Sequence, residues 1–220
     1  MKIRFILYLL TWAVSPTLLA QDINWRALQQ TDKHLVGVSA GVEYGAIVGV
    51  HYGKIFQTRM PVVLSGELSV PLGDNLADDG KARLGAQLEV LHAGAFSATL
   101  KAYAVARRYE NGFTRLVNFG SECSAVAGYY KARWYVAGEF GFDKAIATHI
   151  KHSSPALDLN PGLVSGWYVP TGGNFLYNLQ AGLHLRRHDV TLKVGRIVSQ
   201  DFKTAPLLPL LGQIGYNHRF

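Results

Sequence analysis

The stretch AFSATLKAYAVARR, residues 95–108, alternates with period two. One face carries Phe96, Ala98, Leu100, Ala102, Ala104 and Ala106, and the other carries Ser97, Thr99, Lys101, Tyr103 and Arg107. Successive side chains on a β-strand point to opposite faces, so this is a strand with one apolar and one polar side. The spacing does not suit a helix, whose apolar stripe recurs near every 3.6 residues.

The same alternation runs outward in both directions, through 61–71, 81–92, 116–130, 133–148, 174–187, 189–199 and 208–220. In 61–71, Val62, Leu64, Leu68 and Val70 oppose Ser65, Glu67 and Ser69. In the last segment Leu208, Leu210, Ile214, Tyr216 and Phe220 oppose Gln213, Asn217 and Arg219. Each segment is about ten residues or longer, the length a tilted strand needs to cross a bilayer. A soluble sandwich also alternates, but its second face is solvated and rich in Lys and Glu. Here the second face mixes charges with Gly and Ser, which suits a narrow, packed, polar interior. Apolar outside and polar inside is the arrangement of a membrane barrel.

Residues 35–56 extend the pattern with Val36, Val38, Ala40, Val42, Ala46, Val48, Val50 and Tyr52 on one side. They read either as one very long strand or as two strands joined by the turn Glu43-Tyr44-Gly45. An even strand number is usual in bacterial single-chain barrels. The expectation is therefore an all-β, transmembrane, antiparallel up-and-down barrel over 35–220, with ten strands, or eight as the alternative. Tight turns at 92–95, 130–133 and 187–189 alternate with longer links at 72–80, 109–115, 149–173 and 200–207. That is the expected asymmetry between the two ends of such a barrel. Phe96, Tyr129 and Trp134, with Tyr216 and Phe220, suit one interfacial aromatic girdle, and Tyr109, Phe113, Phe175 and Tyr177 the other.

The chain of 220 residues is long enough for one domain. Met1-Lys2-Ile3-Arg4, the apolar run from Phe5 to Leu10 and the small residue Ala20 make residues 1–20 a signal peptide with a mature start at Gln21. Residues 21–34 hold Ile23, Trp25 and Leu28 among polar residues, as a short plug, an interfacial segment or a frayed terminus. Downstream there is no run of about 18 apolar residues to make a spanning helix. The single cysteine, Cys123, excludes an internal disulfide and sits on an apolar face as a small apolar residue. The net charge is +7, and without Lys2 and Arg4 there are 20 basic against 15 acidic residues. The basic residues are scattered and no nucleic-acid motif accompanies them, so anionic lipid is a better partner than nucleic acid.

The polar faces bring Glu67, Arg83, Glu89, Lys101, Arg107, Glu122, Glu139, Asp143, His184, Arg186 and Lys193 to the predicted lumen. Charges buried in a narrow barrel must be paired. The set therefore reads as a network that holds the barrel shut, or otherwise as the lining of a narrow passage. Catalysis would need a constellation, and only loose ingredients are present: His149, Asp143, Ser153 and Ser154 lie close in sequence. No signature of lipid A deacylases or omptin-like proteases is present. His149 and His152 lack further ligands at a convincing spacing, and there is no phosphate-cradling loop or dinucleotide fingerprint, so neither metal nor cofactor is expected.

A signal segment, alternating strands, and a last strand that ends in Phe220 with Tyr216 and Ile214 on the same face resemble bacterial outer-membrane β-barrel proteins. The Ala20-Gln21 junction and general style are similar to barrels of Bacteroidetes-like bacteria. The resemblance implies an outer-membrane location and contact with its lipid. It also implies that the barrel assembly machinery reads the terminal strand through Ile214, Tyr216 and Phe220. The expected role is structural or surface-interacting and non-enzymatic, with a small-solute pore or a membrane-embedded lipid or peptide hydrolase as alternatives.

Overall fold

The computed structural model describes residues 23–43, 45–72, 79–202 and 209–220. The signal segment, Tyr44 and Leu208 lie outside the described residues. The strands are β1 (His34–Val42), β2 (Ala46–Phe56), β3 (Val62–Pro71), β4 (Asp79–Ala93), β5 (Phe96–Glu110), β6 (Thr114–Tyr130), β7 (Trp134–His152), β8 (Gly166–Tyr168), β9 (Gly173–Leu185), β10 (His188–Ser199) and β11 (Leu210–Arg219). Neighbours in sequence pair antiparallel from β1 to β7, then β7 with β9, β9 with β10 and β10 with β11. Pairing of β1 with β11 closes the ring, in the register Leu35↔Arg219 to Val42↔Gly212. Among the described residues ten strands thus form one closed barrel. The short β8 is an addition, paired with β7 through Thr148↔Tyr168, His149↔Trp167 and Ile150↔Gly166.

The alternation places the residues as their chemistry requires for an inside-out barrel. Leu100 is 50% exposed while its neighbour Thr99 is 2% exposed, and Leu179 is 64% exposed between the buried Asn178 and Gln180. Ser69, Gln87, Ser97, Thr191 and Gln213 are all buried, whereas Leu84, Phe96, Leu183 and Leu192 are exposed. In water such a surface would be an aggregation hazard, and against hydrocarbon it is the stable choice. The lone thiol of Cys123 is on this outer face.

Among the described residues two bulges break the alternation. On β4 the register with β5 shifts between Glu89 and Leu91, and on β7 the register with β6 shifts where Gly120 pairs Ala145 and Phe119 pairs Ala147. Each inserts one unpaired residue, so the inward and outward sets exchange beyond it. This is why His149 faces outward, with its ring 5.0 Å from that of Trp167.

The turns differ from expectation in two places. The last tight turn is Arg186-Arg187 and not 187–189, because His188 already pairs Leu185. A left-handed Arg186, at φ 61°, supplies the twist that a two-residue hairpin needs. Asp189 is therefore a strand residue whose side chain points inward. The link expected at 109–115 shrinks to Asn111–Phe113, because the Asn111 carboxamide oxygen accepts from the amides of Phe113 and Thr114. The turns at 94–95, 131–133 and 186–187 share one end with the start of β1 and with Phe220, which we call the terminal end; the other is the loop end.

Candidate functional site: the barrel interior

The interior is filled in layers. At the terminal end the chain before β1 folds inward, forming a 3-10 turn at Trp25–Ala27 capped by the Asn24 side chain. Ile23 and Trp25 pack among the inward-facing Leu35, Ile55, Val63, Val126, Tyr130, Tyr135 and Ala137. The Trp25 indole donates to Thr99 Oγ1 at 2.8 Å, and the Asn24 amide donates to the Lys131 carbonyl at 2.9 Å. Tyr130 and Tyr135 stack with centroids 5.0 Å apart. Gly182 makes room for this, since a Cβ there would sit 2.1 Å from the Tyr135 ring. Of the three readings open for this segment, the geometry is that of a plug.

Arg219 locks the plug to the wall. Its guanidinium donates to the Ala27 carbonyl at 2.7 Å, to Asp32 Oδ2 at 2.9 Å and to the Arg186 carbonyl at 3.0 Å, and its Nε lies 3.1 Å from Asp189 Oδ2. His184 bonds Asp189 as well. Arg219 thus ties the last strand, the segment before the first strand and the β9–β10 turn together.

Charges cross the waist in two clusters. Arg83 donates to Glu67 Oε2 from both Nε, at 2.9 Å, and Nη2, at 2.5 Å, and to Glu122 Oε1 from Nη1 at 2.9 Å. Its guanidinium also lies over the Tyr103 ring, 5.6 Å from the centroid. Gly85 faces Tyr103 in the β4–β5 register, and a Cβ on it would come within 2.7 Å of that ring. Lys81 joins the cluster through Glu43, at 2.6 Å, and Glu122, at 3.5 Å. In the second cluster Glu139 lies between Lys101, at 3.1 Å, and Lys193, at 2.9 Å, and accepts from Ser124 and Asn178. Buried charges survive here because each carboxylate meets a cation and further donors.

Nearer the loop end Arg107 pairs Asp143 at 2.6 Å and donates to Asn118 at 3.3 Å. This pair borders a cavity of about 840 Å³ that is also lined by Asp79, Tyr109, Asn174 and Asp201. Leu176, Ile197 and Leu211 form a small inward apolar cluster on β9, β10 and β11.

Of the residues expected in one lumen network, the structure joins Glu67, Arg83 and Glu122 in one cluster, Lys101, Glu139 and Lys193 in a second, and Arg107 with Asp143 in a third. Glu89 stands apart, held by Ser97 at 2.6 Å and His92 at 3.3 Å. His184 belongs to the Arg219 anchor. Arg186 is not in the lumen: it is an exposed turn residue, because its left-handed backbone starts the reversal. Sequence reasoning missed Glu43, Lys81, Asp32 and Asp189. The parity that identified Arg83 and Lys193 also points Lys81 and Asp189 inward, and carried one residue past β1 it does the same for Glu43.

The ingredients for hydrolysis do not meet. Asp143 is buried inside with Arg107, while His149 stacks outside against Trp167. His149 and His152, an odd number of strand positions apart, point to opposite faces.

At the terminal-end seam, Phe220 stacks on His34 and His218 with centroids 5.4 and 6.0 Å apart, and its carbonyl accepts from the amides of Lys33 and His34. Tyr216 bonds His188, and Ile214 is 39% exposed on the same outer face. Phe96 and Trp134 contact Tyr129 on the far side of the same end. Phe140, Phe142, Phe175, Tyr177 and Phe202 form an aromatic group nearer the loop end.

No family model matches the sequence, and no curated protein matches it. Solved structures do share the fold. An outer-membrane channel from Pseudomonas putida F1 matches with a TM-score of 0.51 at 10% identity, covering 91% of this chain and 100% of that one. The KdgM porin, solved with disordered oligogalacturonate, matches at 0.44 and 9% identity over 84% of this chain and 99% of its own. The outer-membrane protease OmpT from Escherichia coli matches at 0.46 and 9% identity over 86% and 94%. The chain has the closed antiparallel barrel fold of bacterial outer-membrane proteins.

Proposed function

We propose that this protein resides in the outer membrane as a barrel closed along its axis, and that it serves there as a structural or surface-interacting element without catalysis. One observation carries the reading: the Asn24–Leu28 segment is seated inside the terminal end, with Trp25 bonded to Thr99, beneath a waist of mutually neutralised charges. A conducting lumen needs a wetted path with exposed charge to attract solute. Here the waist charges are spent on one another.

The terminal end then faces the periplasm and the loop end the exterior. A signal peptide of residues 1–20 delivers the chain, and Ile214, Tyr216 and Phe220 present the last strand to the assembly machinery. The cavity beside Arg107 and Asp143 opens outward, where a surface partner would be met.

Planar-bilayer recording tests this reading. The full mature chain gives no steady current, and Trp25→Ala combined with Arg219→Ala, which loosens the plug, gives brief openings. A stable open-state current from the wild type would overturn the closed-barrel proposal and favour a small-solute pore.

A further inference from the structure

We propose that the terminal-end rim holds one anionic glycerophospholipid, its phosphate in a cationic cavity and an acyl chain in an adjoining groove on the outer wall. The inference rests on the membrane placement above. The cavity, of about 700 Å³, lies between the plug segment, the β6–β7 turn and the β9–β10 turn. Arg26, Arg133, Arg186, His184 and His188 line it, and among the described residues no acidic one does.

The fold holds these groups in place. The His184 amide donates to the Arg133 carbonyl at 2.7 Å, which sets the two turns side by side. Arg219 grips the Ala27 and Arg186 carbonyls at once, fixing the plug segment against the second turn. The left-handed backbone of Arg186 leaves its side chain exposed at the rim.

Among the described residues the carboxylates nearest this cavity are turned inside. Asp32, Glu89 and Asp189 are all buried and engaged with Arg219, His92, Ser97 or His184. Among the described residues the exposed acidic side chains are Asp79, Asp158 and Asp201, all at the loop end. Lys54, Lys131, Arg133, Arg186 and Arg187 are exposed at the terminal end. The terminal-end rim therefore carries a positive field, which draws phosphate at a membrane surface, whereas the exposed Arg115, Lys144, Lys151 and Arg196 share the loop end with those acidic residues. Planar guanidiniums are suited to receive it with paired hydrogen bonds.

A second feature separates a lipid from a free anion. An apolar groove of about 440 Å³ runs along the outer wall, lined by Trp134, Val136, Ala181, Leu183, Leu192 and Ile214 among others. It starts where the cavity stops: Arg133 lines one and Trp134 the other, and Leu185 and Leu183 are successive outward positions of β9. Ala181 is small between these larger neighbours, which gives the groove its depth. A molecule with an anionic head and a hydrocarbon tail fits both at once.

The test is native mass spectrometry of the full mature barrel in mild detergent, titrated separately with phosphatidylglycerol, phosphatidylcholine and inorganic phosphate. Wild type retains one phosphatidylglycerol in preference to phosphatidylcholine. Arg133→Gln with Arg186→Gln lowers that retention roughly tenfold or more, as expected for two interfacial arginines. Ala181→Trp fills the groove and weakens lipid retention while leaving phosphate binding unchanged. Should that variant fail to fold, Ala181→Leu makes the same measurement, with the heat-modifiable gel shift as the folding check. Equal retention of both lipids, or undiminished retention in the arginine double variant, overturns the proposal. Phosphate binding with no preference between the lipids also overturns it, leaving an anion site only. A wild type that conducts current yet retains phosphatidylglycerol would remove the closed-barrel reading and leave this one standing.

Discussion

Arg219 and Asp32 are each about 1% exposed and lie 2.9 Å apart, joining the penultimate residue of the chain to the segment that precedes the first strand. The pair closes the barrel twice: across the β1–β11 seam and across the mouth of the lumen. Breaking one side of a buried pair strands the other charge. Arg219→Ala should therefore cost about 3–5 kcal/mol. Thermal conversion of the folded band on a semi-native gel reads the change, and Arg219→Ala with Asp32→Ala should recover part of it. Additive losses in the double variant would show that the two residues are not coupled.

Glu139 is the hub of the second waist cluster, touching Lys101, Lys193, Ser124 and Asn178. Glu139→Gln leaves two ammonium groups facing each other in the interior. The expected loss is again about 3–5 kcal/mol, by urea titration in lipid vesicles, with Lys193→Met restoring much of it in the same background. A single variant within about 1 kcal/mol of wild type, the range of solvent-exposed pairs, would mean that water screens the waist.

How much of this was legible in the sequence depends on the scale. Period two gave the strands and their facing, because alternation on a closed sheet is favoured by hydrocarbon outside and packing inside. It left 35–56 open as one strand or two, and only the usual even strand number pointed to ten over eight. The same parity put Glu67, Arg83, Lys101, Glu122, Glu139 and Lys193 in the lumen. It did not say who pairs with whom, since cross-strand neighbours follow from register and register follows from turns. Turn chemistry was where reading failed: starting the last hairpin at Arg187 moved Asp189 out of the interior and Arg186 into it. The apolar end of the lumen was also hidden. Leu35, Ile55, Val63 and Tyr135 sit at inward parity but lack the polarity by which inward residues were recognised, and their partner Trp25 precedes the first strand. Bulges at β4 and β7 carry no plain sequence mark.

The outward facing of the apolar rows has its own test. Leu100 is half exposed in the middle of β5, opposite Leu88 and Ala125 in the two neighbouring registers. Leu100→Arg should cost about 2–4 kcal/mol if that position meets the bilayer midplane. Leu100→Phe should change stability by no more than about 0.5 kcal/mol, as an apolar surface swap does. Thr99 is a poor inward control despite its polarity, because Trp25 is bonded to it and an arginine would unseat the plug. Equal tolerance of Arg and Phe at Leu100 would place this row in water.

Phe220 completes the seam rather than trailing from it. Its amide donates to the His34 carbonyl at 3.0 Å, its carbonyl accepts two amides in return, and its ring lies between His34 and His218. Phe220→Ala keeps the backbone bonds and removes the ring. If the ring acts only in the finished barrel, the variant should assemble at the normal rate and show merely a lower unfolding temperature. If the ring is also read during assembly, folded protein should accumulate slowly and unfolded chain should appear in the periplasm, even where the purified variant is nearly as stable as wild type. We expect the second pattern, followed by pulse-chase labelling and the heat-modifiable gel shift. A normal assembly rate with reduced stability would confine Phe220 to the seam.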